Sequence, residues 1–125
     1  MKRLIIAAAV AASGMTTSAR AEWPADQPIR VIVGFNAGGG TDIVSRIIAQ
    51  PLGELLHQSV VVENKVGAGG TIAAETVARA NKDGYTALMT SPAHTVAAAM
   101  LKSIRYDAVK DFADVSLVAD SSFVI

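Results

Sequence analysis

The chain has 125 residues, no cysteine, and equal numbers of acidic and basic side chains, eleven of each. Because cysteine is absent, a disulfide scaffold, a thiol nucleophile and a Cys-ligated zinc or iron–sulfur site are excluded. The zero net charge gives no electrostatic footprint for nucleic acid, so we expect no nucleic-acid partner.

The N-terminal segment has the three parts of a secretory signal peptide. Residues 1–3 carry two positive charges, residues 4–12 are apolar, and residues 18–21 (SARA) place small side chains at both cleavage positions. The apolar run is shorter than the roughly 20 residues of a membrane-spanning helix. We therefore predict a signal peptide over residues 1–21, cleaved after Ala21. The mature chain is then periplasmic, with eight basic and eleven acidic side chains.

Short apolar and β-branched runs predict the strands. They occupy residues 29–35, 60–63, 85–90 and 115–119, and a fifth strand begins at residues 123–125. Each of the first three runs is followed by a loop and a helix, which is typical of a parallel sheet with helices on its faces. We therefore predict an α/β fold in which ligands bind beyond the carboxyl ends of the strands.

Helical spacing of apolar residues predicts a helix after each of the first three strands. The predicted helices begin at Thr41 and cover residues 71–80 and 95–101. We expect Thr41 to cap the first helix and Asp42 to complement its dipole. Pro51 lies inside this helix and is expected to kink or divide it. The apolar residues of the first helix are Ile43, Ile47, Ile48, Leu52, Leu55 and Leu56.

Two glycine-rich loops lie where such a sheet binds ligands. Residues 36–40 (NAGGG) follow the first predicted strand, residues 67–70 (GAGG) follow the second, and each loop leads into a helix. Such a loop offers unpaired N–H groups and the positive end of a helix dipole, which together form an anion site. Because neither loop contains Lys or Arg, we predict that backbone amides and the Thr41 hydroxyl hold the anion. This favours a small carboxylate over a polyphosphate.

The same residues also have purely structural interpretations. Glycines after a strand are often only turn formers, Thr41 can be only a cap, and Asp42 can serve only the helix dipole. His94 follows the third predicted strand, and a lone histidine is more often structural or exposed than a ligand contact.

Motifs of the common catalytic, metal and nucleotide sites are absent from the sequence. There is no G-x-S-x-G, H-E-x-x-H or Walker motif, and both loops fail the G-x-G-x-x-G fingerprint. Two histidines do not form a common three-ligand zinc site, so we predict no metal and no cofactor. We predict a binding protein rather than an enzyme. The alternative is an exported α/β enzyme, for which Asp42, Ser91 and His94 are the candidate nucleophile or base.

A series of sequence blocks, in order along the mature chain, resembles one known family. The blocks are residues 23–24, 28–33, 35, 38–42, 60–65, 67–70, 83–86, 106–107, 110–112 and 115–118. With these blocks the chain resembles the periplasmic solute-binding receptors of tripartite tricarboxylate transporters, the Bug or TctC family.

The resemblance implies a fold, a ligand class and a set of binding residues. The fold is type II periplasmic-binding-protein-like, with a parallel sheet flanked by helices and with two lobes at full length. Such a receptor, a monomer when full length, captures a small organic carboxylate and delivers it to the membrane subunits of its transporter. The implied ligand-binding residues on this chain are Asn36, Ala37, Gly38, Gly39, Thr41, Asp42, Gly69 and Gly70, with Ser91 and His94 as weaker candidates.

Family members are well over twice the length of this chain. We therefore expect residues 22–119 to form the N-terminal part of the first lobe and residues 120–125 to begin the crossover towards the second. We expect the 125-residue chain to be a truncated sequence that is poorly stable alone. A nonfunctional gene fragment is a further alternative.

Overall fold

A three-stranded parallel sheet forms the centre of the fold in the computed structural model, which describes residues 23–120. The strands are β1 (Ile29–Val33), β2 (Val60–Asn64) and β3 (Thr86–Met89), in the order β2-β1-β3. Strand β1 pairs in parallel with both neighbours. The predicted parallel α/β arrangement is thus confirmed. The predicted signal peptide and the fifth strand lie outside the described residues.

The composition of β1 explains its central position. Four of its five residues are buried, and only Arg30 is exposed. A continuous apolar run of this kind is typical of a parallel strand covered on both faces. Arg30 links β1 to β2 through a bidentate ion pair with Glu63, at N–O distances of 2.6 and 2.8 Å. This pair is partly exposed, so its contribution to stability is small.

Each strand is followed by a helix. The helices are α1 (Gly40–Leu56), α2 (Thr71–Ala78) and α3 (Ala93–Met100), and a turn of 3-10 helix over Ala68–Gly70 precedes α2. Since the strands are parallel, all three helices begin at the carboxyl edge of the sheet. Within residues 23–120, no helix has the length and apolar character required to cross a membrane.

Helix α1 is continuous through Pro51, so of the two expected outcomes, a kink or a division, the division is wrong. The ring of Pro51 is exposed and points away from the sheet-facing side, which contains Ser45 and Ala49. Proline removes the hydrogen bond to the carbonyl of Ile47. Because Ile47 is 66% exposed, water can satisfy that carbonyl. Packing of α1 along β2 therefore maintains the helix across the proline.

Three of the large apolar side chains of α1 are exposed, and Ile48, Leu52 and Leu56 are only partly buried. Ile43, Ile47 and Leu55 are 49%, 66% and 79% exposed, whereas the buried positions are Asp42, Ser45 and Ala49. Small buried side chains allow the helix to approach the sheet closely. Within residues 23–120, this apolar surface of α1 is left largely uncovered.

The predicted strand over residues 115–119 is absent. Val115 and Leu117 are 92% and 83% exposed, and the segment has no regular structure. A β-branched run becomes a strand only when a neighbouring strand pairs with its backbone groups. In the part of the chain that the structure describes, this run has no such neighbour.

The second glycine-rich loop packs against Gly34, directly after β1. A Cβ atom added to Gly34 would lie 2.8 Å from the Cα of Gly70 and 3.3 Å from the Cβ of Ala73. Gly70 has a φ of 90°, in the left-handed region that glycine adopts readily. Glycine at both positions therefore allows the segment after β2 to pack directly against the end of β1.

We predict that Gly34→Ala destabilises the protein, when expressed from its complete reading frame, by about 1–3 kcal/mol because the methyl group is overpacked. The matched control is Gly40→Ala, since a Cβ at Gly40 meets nothing within 4 Å. This control should change the free energy of unfolding by less than about 1 kcal/mol. Chemical denaturation of the two variants measures the difference, and equal losses would contradict the proposed close approach.

Candidate functional site

The three helix N-termini and the loops before them form the candidate site. The first loop joins β1 to α1, the second joins β2 to α2, and Ser91 and Pro92 join β3 to α3. Strand β1 is central, so its loop lies between the other two, and α3 packs against the turn at Ala68–Gly70. The positive ends of three helix dipoles are thus directed to one edge of the sheet.

Where the first loop enters α1, several backbone N–H groups have no acceptor within the helix. Gly38 has a φ of 83°, and the N–H of Gly39 donates to the carbonyl of Asn36 at 3.1 Å. The N–H of Ile43 donates to the carbonyl of Gly39 at 2.9 Å, which closes the first turn of α1. The N–H groups of residues 40–42 therefore have no acceptor within the helix.

Thr41 is not the helix cap, so that prediction is wrong. Gly39 occupies the cap position without a side-chain bond, and α1 begins at Gly40. The glycines permit the helix to begin two residues earlier than a cap at Thr41 would. The carbonyl of Thr41 accepts a bond from the Ser45 hydroxyl at 2.7 Å, and the Thr41 side chain is half-buried beside the free N–H groups.

Asp42 is a buried carboxylate that several protein donors satisfy. Its side chain is in the first turn of α1, as predicted, and the residue is only 2% exposed. Oδ2 accepts the N–H of Gly38 at 2.8 Å, and Nε of Arg46 donates to both oxygens at 3.0 and 3.1 Å. Oδ1 also accepts from Nδ2 of Asn64 at 2.9 Å. The Asp42 side chain thus has bonding partners within the protein.

These bonds stabilise the charged form of Asp42. The guanidinium of Arg46, followed by the N–H of Gly38 and the amide of Asn64, holds the pKa of this carboxyl well below its usual range. The pKa of Arg46 is raised in turn by its hydrogen bond to Asp42. Asp42 and Arg46 therefore both stay ionised at neutral pH, and their charges offset each other.

The second loop is a tight left-handed turn. Gly67, Gly69 and Gly70 all have positive φ angles, as does Ala68 at 46°. The N–H of Gly70 donates to the carbonyl of Gly67 at 3.0 Å, and the Thr71 hydroxyl donates to the carbonyl of Ala68 at 3.0 Å. This backbone requires glycine at most of its positions. The turn brings Gly70 against Gly34 and so places the second loop beside the first.

His94 lies in an aromatic cluster. Its ring stacks on Tyr106 with 5.7 Å between centroids and meets the edge of Phe112 at 5.2 Å. Nε2 is 3.5 Å from the carbonyl oxygen of Ala108. These contacts agree with the structural interpretation of His94.

Ser91 is placed at the start of α3. Its hydroxyl oxygen accepts the N–H of Ala93 at 3.4 Å, and its carbonyl accepts the N–H of His94 at 3.0 Å. The two residues are thus linked through the backbone, and residues 23–120 contain no hydrogen bond from the Ser91 hydroxyl to the imidazole. Ser91 and His94 are therefore not paired as nucleophile and base in this conformation.

Neither a metal site nor the open groove beside α1 involves the two loops in residues 23–120. Among residues 23–120, no three His, Asp or Glu side chains form a group that could hold a metal ion. An open groove of about 710 Å³ lies between the second half of α1 and β2. Arg46 is near one end of this groove, which contains none of the glycine-loop residues. The groove is therefore separate from the two glycine-rich loops.

Comparison with known proteins identifies the family. Residues 44–125 match the sequence model described as the tripartite tricarboxylate transporter family receptor, TctC.

The chain belongs to this receptor family.

Protein BugT of Bordetella pertussis is 36% identical over 123 residues, which cover 97% of this chain and 38% of BugT. A UPF0065 protein of Cupriavidus necator is 39% identical over 122 residues, which cover 94% of this chain and 37% of that protein. The family resemblance read from the sequence is thus confirmed. The receptor chain spans 28–38% of the length of the curated relatives it matches.

Several solved structures share the fold. MatC from Rhodopseudomonas palustris with bound malate has a TM-score of 0.68 and 37% identity, over 74% of the receptor chain and 32% of MatC. A periplasmic transporter has a TM-score of 0.64 and 43% identity, over 71% and 30% of the two chains. An R. palustris protein with adipate has a TM-score of 0.63 and 37% identity, over 70% and 29%.

Three residues of the site were not predicted from the sequence: Gly34, Arg46 and Asn64. Arg46 could have been found, because it is four residues after Asp42 on a predicted helix and so lies on the same face. Asn64 is separated from Asp42 by 22 residues and from Phe35 by 29, so local spacing does not reveal its contacts. The constraint on Gly34 likewise comes from a residue that is distant in the chain, because Gly70 packs against it.

We predict that Asp42→Asn destabilises the receptor most near neutral pH. Because the pKa of Asp42 is lower in the folded state than in the unfolded chain, its ionised network stabilises the fold above the unfolded-state pKa. That contribution declines as the pH falls below about 4 towards the folded-state pKa. The difference in melting temperature between wild type and variant should therefore narrow on acidification.

Asp26→Asn is the control for this experiment, since Asp26 is exposed. Its melting temperature should stay close to that of the wild type from neutral to acidic pH. A difference for Asp42→Asn that does not depend on pH would show that the charge of Asp42 adds nothing to stability.

Proposed function

We propose that this receptor captures a small organic carboxylate in the periplasm and delivers it to the membrane subunits of a tripartite tricarboxylate-type transporter. One observation carries the proposal: the N–H groups of residues 40–42 in the first turn of α1 lack intrahelical acceptors, and the segment that leads into α1 begins at Gly34, which packs against Gly70 of the second glycine-rich loop. Unpaired amides at a helix N-terminus are suited to an anion.

The charges around the loops favour a carboxylate over a more highly charged group. Arg46 is the basic side chain that contacts the first loop's network, and its guanidinium is bonded to Asp42 and Asn64. The anion is therefore balanced by amide dipoles and not by a free cation. The similar structures that contain malate and adipate support a carboxylate of this size.

The proposed contacts divide into backbone and side-chain groups. The backbone N–H groups of the first helical turn and of the second loop surround one carboxylate, and the Thr41 hydroxyl donates a further bond. Asp42 contributes its N–H, because its carboxylate already has protein partners. We retain the following residues as the proposed binding set: Asn36, Ala37, Gly38, Gly39, Thr41, Asp42, Gly69, Gly70, Ser91 and His94.

The remaining steps rest on the family. Residues 1–21 direct export, and the full-length protein is a two-lobed monomer that closes around the solute. In this scheme the loops described here form one wall of the cleft, and closure provides the recognition of the far end of the solute. No bond of the solute is made or broken.

A calorimetric screen tests the proposal. The protein expressed from its complete reading frame is titrated with mono-, di- and tricarboxylates, and we expect saturable binding of at least one acid. Inorganic phosphate and a neutral diol serve as comparison ligands and should bind far more weakly. A folded protein that binds none of the acids would refute the proposed function.

We predict that Thr41→Ala weakens the affinity about 10- to 150-fold, the effect of losing a hydrogen bond to a charged group, about 1.5–3 kcal/mol. Thr41→Ser keeps the hydroxyl and should retain most of the affinity. The matched control is Thr76→Ala, because Thr76 also lies in a helix and bonds only the carbonyl of Ile72. An unchanged dissociation constant in Thr41→Ala would remove the Thr41 hydroxyl from the site.

A further inference from the structure

Asn64, the last residue of β2, connects three parts of the fold with its side chain. Its Nδ2 donates to the carbonyl of Phe35 at 3.1 Å and to Oδ1 of Asp42 at 2.9 Å. Its Oδ1 accepts from Nη2 of Arg46 at 3.0 Å. The side chain of one β2 residue is thus bonded to the start of the first loop and to the first turns of α1.

The orientation of this amide follows from its partners. The carbonyl of Phe35 and the carboxylate of Asp42 are acceptors only, so the NH₂ group must face them. The guanidinium of Arg46 is a donor only, so the carbonyl oxygen must face it. The amide dipole is therefore aligned with the Asp42–Arg46 ion pair. An aspartate at this position could not donate to either acceptor, and a leucine could form none of the three bonds.

The bonds of Asn64 and Asp42 together hold the first loop at two points. Asn64 holds the carbonyl of Phe35, where the loop begins, and Asp42 holds the N–H of Gly38, in its middle. Asn64 also holds the carboxylate that makes the second of these contacts. Next to Asn64, the N–H of Lys65 donates to the carbonyl of Val33 at 2.8 Å, and this bond fixes the backbone at the end of β2.

We propose that Asn64 is a positioning residue for the first glycine-rich loop: it fixes the Asp42 carboxylate on Gly38 and so sets the affinity of the loop for an anion that Asn64 itself does not contact. This inference rests on the proposed carboxylate-binding function. The donors left for the ligand are those of residues 40–42, beside the Gly38 amide that Asp42 occupies.

The charge of Asp42 explains why its position matters for binding. While the Asp42 carboxylate is bonded to Gly38, Arg46 and Asn64, it does not accept from the N–H groups of residues 40–42. Once released from Asn64, the same carboxylate is free to turn towards those N–H groups. It would then compete with a ligand carboxylate for the donors and repel its charge.

The test compares two variants of Asn64 with a matched control, all in the protein expressed from its complete reading frame. Asn64→Asp is nearly isosteric and removes both donated bonds, and Asn64→Leu removes all three. The control, Glu63→Gln, alters the neighbouring β2 residue and breaks the Arg30 pair that links the same two strands. Three quantities are measured: melting temperature, carboxylate affinity, and the NMR signal and hydrogen exchange of the loop amides.

We expect the Asn64 variants to lose affinity about tenfold or more, whereas Glu63→Gln should keep the wild-type dissociation constant even if its melting temperature falls. In the free protein, the amide proton signal of Gly38 should move upfield in Asn64→Asp because its bond to the carboxylate is weakened. Exchange at Gly38 and Gly39 should accelerate about tenfold in the same variant and stay unchanged in the control.

The outcomes separate the two proposals. If the wild type binds no carboxylate, the proposed function fails, and the Gly38 signal and exchange rates still test the positioning role. If Asn64→Asp keeps the wild-type Gly38 signal, exchange rates and affinity, the positioning role is refuted. Should Asn64→Leu not fold, Asn64→Asp alone decides the matter. A loss of melting temperature with unchanged affinity and loop exchange would show that Asn64 serves stability only.

Discussion

The candidate site depends on how one buried carboxylate is satisfied. Asp42 lies where β1, α1 and β2 meet, and a charge in such a place is tolerated only with bonding partners. The partners come from the first loop, from the next turn of α1 and from the end of β2. These bonds form only when the first loop, α1 and the end of β2 are correctly placed relative to one another. They also fix the conformation of the first loop.

Close backbone approach complements this polar network. The contact of Gly34 with Gly70 brings the second loop to the end of β1; a side chain at Gly34 would separate the segments, and the φ of 90° at Gly70 favours glycine there. The parallel sheet then orients three helix N-termini to the same edge. The hydrogen bonds of Asp42 thus fix the first loop, and the contact between Gly34 and Gly70 fixes the second loop against the end of β1. The resulting surface offers amide donors for an anion while the nearby formal charges of Asp42 and Arg46 offset each other.

Most of the local structure could be predicted from the sequence. The β-branched runs at β1, β2 and β3, the helix starts and both glycine-rich loops follow from periodicity and residue type. Two local rules failed for tertiary reasons. Pro51 remains inside α1 because packing along β2 outweighs the proline penalty, and residues 115–119 form no strand because no neighbour pairs with them. The role of Thr41 as a cap failed because the preceding glycines allow an earlier turn.

The sequence by itself established the α/β class and the family, and it predicted an anion site at the glycine-rich loops, since these depend on local patterns and ordered motifs. Only the tertiary structure revealed that the Asp42 side chain is bonded within the protein, that His94 packs against Tyr106 and Phe112, and that Asn64 joins β2 to the first loop. These contacts connect residues far apart in the chain. Their geometry is set by strand order and helix packing, which periodicity does not encode.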